Sequence, residues 1–140
     1  MNLNIPYMET DNKLLNDAYR IAAGDIVGNI VYYQNGLLTE EKPCMIAGLD
    51  YNTPWTRDTA INIWNALSIL SPEVSKNTLL AVLEEEEGNI YIGGQYWDSI
   101  IWMIGAREYC RFHKDDNFYR LAFEAGRNSV HRLEEDEFDE

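Results

Sequence analysis

Basic residues are scarce in this chain: 11 Lys and Arg stand against 24 Asp and Glu, for a net charge of −13. A nucleic-acid partner requires clustered cations to neutralise phosphates, so this balance argues against one. Acidity by itself reads as solubility. Cysteine is nearly lacking. Cys44 and Cys110 stand alone without metal-type spacing, and two reduced thiols in a cytoplasmic protein are the better reading than a disulfide. The two histidines, His113 and His131, have no partners at ligand spacing, so no metal and no cofactor is expected. No stretch approaches the roughly 18 uninterrupted apolar residues of a membrane span, and no membrane partner is expected. The segment Met1–Pro6 lacks the basic and apolar regions of a signal peptide. Neither a Ser–His–Asp set nor a glycine-rich phosphate loop is recognisable; Gly93-Gly94 is too short and reads as a turn. Strand-type alternation is also poor, with Asn89–Ile92 the one short candidate.

Aromatic residues, by contrast, are plentiful: nine Tyr, four Trp and four Phe, within an apolar content of 46 %. That is enough for a real core in 140 residues, a length that fits one domain. Apolar residues from Leu14 through Ile30 recur at three- and four-residue spacing and predict a first helix over 11–34, capped by Thr10 or Asp11 and stopped by Asn35-Gly36. Gly24 and Gly28 lie on one face of it, where they either allow a close helix contact or simply weaken the helix. A breaker-rich loop is expected over 37–54, then helices over about 56–70, 71–86, 98–113 and 117–133. Ser71-Pro72-Glu73 supplies a capping hydroxyl, a first-turn proline and a dipole-matched acid. The expected fold class is therefore all-α, a series of helical hairpins. The acidic run 134–140 reads as a solvated or frayed end.

Two stretches carry the candidate chemistry. Tyr51 and Trp55 precede Arg57 and Asp58 at the mouth of the second helix; Trp97 and Asp98 open the fourth. The two Asp positions lie 40 residues apart, near the period of a two-helix repeat. Flat rings beside charged groups suit a sugar, whose C–H faces stack on rings while its hydroxyls pair with carboxylate and guanidinium. Asp58, Asn62 and Asn65 share one face of the second helix, a polar stripe that fits either a ligand cavity or plain surface. Asp58 alone reads as a helix cap; beside Trp55, Arg57 and the Trp97-Asp98 copy it reads as part of a site. Gln95 and Tyr96 are pocket candidates on the same grounds, whereas Trp64 and Trp102 read as core.

Tyr51-x-x-x-Trp55-x-Arg57-Asp58, opening an apolar helix, resembles the Trp-x-Arg-Asp signature of the six-hairpin, (α/α)6-toroid glycoside hydrolases: glucoamylase, the glucosidase part of glycogen-debranching enzymes and trehalase-like relatives. Asp98 through Ala106, followed by Tyr109 and Asp116-x-Phe118, is similar to a second helix of debranching enzymes. The resemblance implies an amino-terminal part of such a toroid, incomplete because closure needs six hairpins. It implies substrate binding by Tyr51, Trp55, Arg57, Asp58, Asn62, Trp97 and Asp98, a glucoside-like carbohydrate ligand, and catalytic carboxylates beyond this chain. Partners would be that ligand and either the rest of the barrel or a second copy. The competing expectation is a non-catalytic helical-repeat interaction protein, and a lyase or epimerase on the same toroid is a third. Convergence of Arg57, Asp58, Asn62 and Asp98 in one concavity would favour the sugar site; scatter would favour the scaffold.

Overall fold

The computed structural model describes residues 5–138, with side chains to Glu135. Its elements run α1 (Lys13–Gly28), β1 (Ile30–Tyr33), β2 (Lys42–Met45), α2 (Thr56–Asn62), a π-helical segment (Ile63–Leu67), α3 (Ser68–Leu70), α4 (Pro72–Ala81), β3 (Leu83–Glu86), β4 (Asn89–Ile92), α5 (Asp98–Phe112) and α6 (Asp116–Phe138). Since α2, the π-helical segment and α3 run on without a break, the described residues hold five helical rods and two antiparallel two-stranded sheets. The all-α series of hairpins expected from the sequence, and with it the (α/α)6 toroid, is corrected to a mixed fold in which β-hairpins interrupt the helical succession.

Local chemistry accounts for each interruption. The first helix ends at Gly28 rather than Gln34, and the β-branched and aromatic run Ile30-Val31-Tyr32-Tyr33 turns into a strand. It pairs with Lys42–Met45, so the expected loop contains β2; Pro43 is tolerated because a two-stranded ribbon leaves free edges. The third expected helix stops at Ala81. Beyond it Glu86 faces Asn89 across a two-residue loop, Glu87-Gly88, whose φ values of 52° and 81° suit a tight hairpin. The Gly88-Asn89 stop signal thus closes a hairpin, not a helix.

Starts and caps follow sequence chemistry more closely. Asn12, one residue after the expected caps, accepts the Leu15 N–H at the head of α1. Ser71 accepts the Val74 N–H, with Pro72 at the first helical position of α4. Asp115 caps α6 by accepting the Phe118 N–H at 3.0 Å.

The core gathers Ile63, Leu67, Val74, Leu79, Leu83, Ile92, Trp102, Tyr109, Phe118 and Ala125, so α4, α5, α6 and the π-helical segment enclose it with the second hairpin. Trp102 is fully buried and donates its indole N–H to the Leu79 carbonyl. Trp64, expected in the core, instead lies half exposed, because Ile63 and Leu67 take the inward positions of the π-helical turn. α1 buries none of its residues, and nothing lies within 4 Å of a Cβ added at Gly24 or Gly28, so no close helix contact forms there. α2 and α5 make the close crossing: a Cβ on Gly105 would sit 2.8 Å from Ala60 Cα. No described helix is long and apolar enough to cross a membrane. The acidic end is helical to Phe138; its last residues, and Met1–Asn4 of the segment read for a leader, lie outside the described residues.

Candidate functional site

The close crossing of α2 and α5 brings the two helix mouths together. Pairing of Arg57 with Asp98 and of Ala60 with Gly105 means that the helices run in the same sense from a common end. Arg57 Nη1 donates to both Asp98 carboxylate oxygens, at 2.9 and 3.0 Å. Asp98 is buried and also accepts the Gln95 N–H at 2.8 Å. The guanidinium lies over two indoles, with its central carbon 5.7 Å from the Trp55 ring centroid and 5.3 Å from that of Trp97. Tyr51 meets Trp55 edge to face at 6.0 Å. Such contacts stack a weakly hydrated cation against ring faces. A second tie joins the mouths where the Thr56 hydroxyl donates to the Gly93 carbonyl at 2.8 Å.

Gly93 and Gly94 are required by this packing. Gly94 has φ +110°, and a Cβ there would meet Asp98 Oδ2 at 2.5 Å; one on Gly93 would meet Glu84 Oε1 at 2.6 Å and the Val82 carbonyl at 2.7 Å. Two carboxylates therefore pack on consecutive glycines. The sequence reading of this pair as a plain turn missed that role.

Beside the stack opens a cleft of about 430 Å3. It is lined by Trp55, Arg57 and Asp98, by Glu84 of β3, by Tyr33 and Asn35 of the first hairpin, and by Gln95 from the loop before α5. The first hairpin is held there by its loop. Gly36, at φ +59°, lies against the carbonyls that end α4, Leu37 N–H donates to the Leu80 carbonyl, and Asn35 Nδ2 donates to that of Ala81. Burial, and then the nearby Cys44 sulfur, push the Tyr33 hydroxyl above its ordinary range, so it stays a protonated donor. Burial drives the Cys44 thiol up to about 12, which leaves it no thiolate chemistry.

Of the residues singled out from sequence, Trp55, Arg57, Gln95 and Asp98 line the cleft, while Trp97 meets Arg57 and Tyr51 meets Trp55 without lining it. Asp58 and Asn62 are half-buried on α2 and are not among the cleft's lining residues. Asn65 turns back on its own helix, donating to the Ile61 carbonyl at 2.8 Å. Arg57 and Asp98 satisfy one another, so they shape the wall more than they offer free hydrogen bonds. Of the lining residues with capacity to spare, Gln95 was chosen from sequence, whereas Tyr33, Asn35 and Glu84 were not. Each of these three sits on or beside a strand that the helical reading hid. Among the described residues no group of three or more His, Cys, Asp or Glu is placed to hold a metal.

Comparison of the chain with protein-family models, with curated proteins and with solved structures finds no match. Together with the two β-hairpins, this overturns the resemblance to six-hairpin glycoside hydrolases. The role expected from it, the sugar-binding half of a debranching-type glucosidase, falls with it, and so does the alternative of a helical-repeat scaffold.

Proposed function

We propose that the chain is a recognition domain for a small, polyhydroxylated ring compound held in the cleft between the Trp55–Arg57–Trp97 stack and Glu84. One observation carries this reading: the stack is a preformed aromatic wall, pinned by a buried carboxylate, beside a cavity of small-molecule size. Small-molecule sites are typically about 300–1,000 Å3, with flat apolar surface and a few placed polar groups. Here the Trp55 ring supplies the surface, Asn35 and Gln95 supply amides, and Tyr33 supplies a hydroxyl.

Charge narrows the ligand class. Asp98 cancels Arg57, which leaves Glu84 as the uncompensated charge among the lining residues. An anion is therefore disfavoured, and a ligand rich in O–H donors is favoured. Carbohydrates belong to that class. Their candidacy rests here on the chemistry of the cleft and involves no bond cleavage.

Calorimetric titration with a panel of aldohexoses, pentoses and inositol tests the reading. Saturable binding by at least one member is expected, weakened tenfold or more by Trp55→Ala and by Glu84→Gln, with circular dichroism confirming that both variants fold. Lack of binding by every member, or binding indifferent to both substitutions, would refute it.

A further inference from the structure

Glu84, Gly94 and Gln95 line a second cavity, of about 490 Å3, as well as the first. Tyr91, Tyr96 and Arg132 line this second space, as do Ser99 of α5 and Ser129 of α6. Its polar groups are held in place. Arg132 donates to Glu86 at 2.6 Å, and its guanidinium carbon lies 3.5 Å from the Tyr91 ring centroid. Ser129 Oγ accepts the Ile92 N–H at 2.8 Å, which leaves its own hydrogen to donate elsewhere. Tyr96 has φ +20°, a backbone conformation that side-chain-bearing residues rarely adopt, and yet the residue is 75 % exposed. An exposed outlier that lines the second cavity, next in the chain to the shared Gln95, is a functional signal.

We propose that the two cavities are adjoining subsites of one groove that takes a linear polyhydroxylated ligand of at least two rings, with Glu84 at the junction and Tyr96 facing the second ring. This rests on the small-ligand reading above. Each half has the same make-up: aromatic surface (Trp55 in one, Tyr91 and Tyr96 in the other) beside amide, hydroxyl or charged groups, in a volume of small-molecule size. A shared carboxylate can accept from both units at once, which two separate sites would not allow.

The test titrates the full chain with glucose, galactose and mannose, and with disaccharides built from each. At least one disaccharide is expected to bind ten times more tightly than its monosaccharide. Tyr96→Asn, chosen because Asn tolerates positive φ, should weaken that disaccharide tenfold or more and the monosaccharide by much less, so that the preference is lost; Tyr96→Phe should keep it. Equal binding of mono- and disaccharides, or an equal loss of both in Tyr96→Asn, would overturn the two-subsite groove while leaving the first cleft standing. Failure of every sugar to bind would refute the underlying reading as well.

Discussion

The pairing of Arg57 with Asp98 decides the shape of the site at the scale of single residues. Asp98 is almost wholly inside, with 4 % of its side chain exposed, while Arg57 keeps 29 %. Removing the cation would leave a buried carboxylate with only the Gln95 N–H as donor. Loss of one partner from a buried pair costs about 3–5 kcal/mol, and partial exposure of Arg57 lowers the expectation for Arg57→Ala to about 2–4 kcal/mol. Asp98→Asn should cost less, because no unpaired anion remains and an amide oxygen can still accept from Gln95. Urea denaturation of both variants measures the order; a smaller loss in Arg57→Ala than in Asp98→Asn would contradict the account. The same reasoning separates wall from contact. A residue spent on its neighbour positions the site, and a residue with free capacity, such as Glu84, meets the ligand.

Among elements, the crossing of α2 and α5 depends on the missing side chain of Gly105. A Cβ there would meet Ala60 Cα at 2.8 Å and its carbonyl oxygen at 3.1 Å, both backbone atoms that cannot swing aside. Gly105→Ala is therefore expected to destabilise by about 1–3 kcal/mol despite the better helix propensity of Ala, and to separate the two helix mouths. Thermal denaturation with near-ultraviolet circular dichroism of the tryptophans checks both effects; an unchanged or raised Tm would refute the close packing. Elements like this one were half legible in sequence. Ser71-Pro72 marked the start of α4, Asp98 that of α5, and Trp102 its core position, because caps and apolar spacing act locally. Of the strands, Asn89–Ile92 alone stood out as a candidate, and it forms β4; the other three were not legible for equally physical reasons. Ile30–Tyr33 continues the apolar period of α1, so the switch to β pairing is settled by a partner twelve residues on. Leu83–Glu86 has poor strand propensity and is held by its pairing with Asn89–Ile92 and by the tight turn between them. Once the strands were missed, Tyr33, Asn35 and Glu84 could not be placed on the cleft, whereas Trp55, Arg57 and Asp98 could be picked out from their helix mouths alone.

Across the whole molecule the excess of acid sets the response to pH. Asp115 shows the local side of that response: its hydrogen bond with the Lys76 ammonium, at 2.6 Å, and the Phe118 N–H hold its carboxyl below the usual carboxylate range. A carboxyl whose pKa is lower folded than unfolded contributes stability that is present above the unfolded value, near 4, and fades as pH falls through the folded one. Both partners are partly exposed, so the effect is modest. Stability measured from pH 6 to pH 2 is expected to fall below about pH 4, less steeply in Asp115→Asn; identical acid limbs in the two proteins would contradict the assignment. The net charge of −13 acts in the opposite direction, since protonation relieves self-repulsion, and comparison of the two proteins cancels that common part.

The cleft itself is tested most directly by nuclear magnetic resonance of the four indole N–H groups while the aldohexose, pentose and inositol panel is titrated in. The account predicts that with at least one member the Trp55 signal shifts saturably, while that of Trp102, sealed in the core and donating to Leu79, stays in place. A Trp55 signal that remains still with every member of the panel, or shifts only together with Trp102, would contradict it.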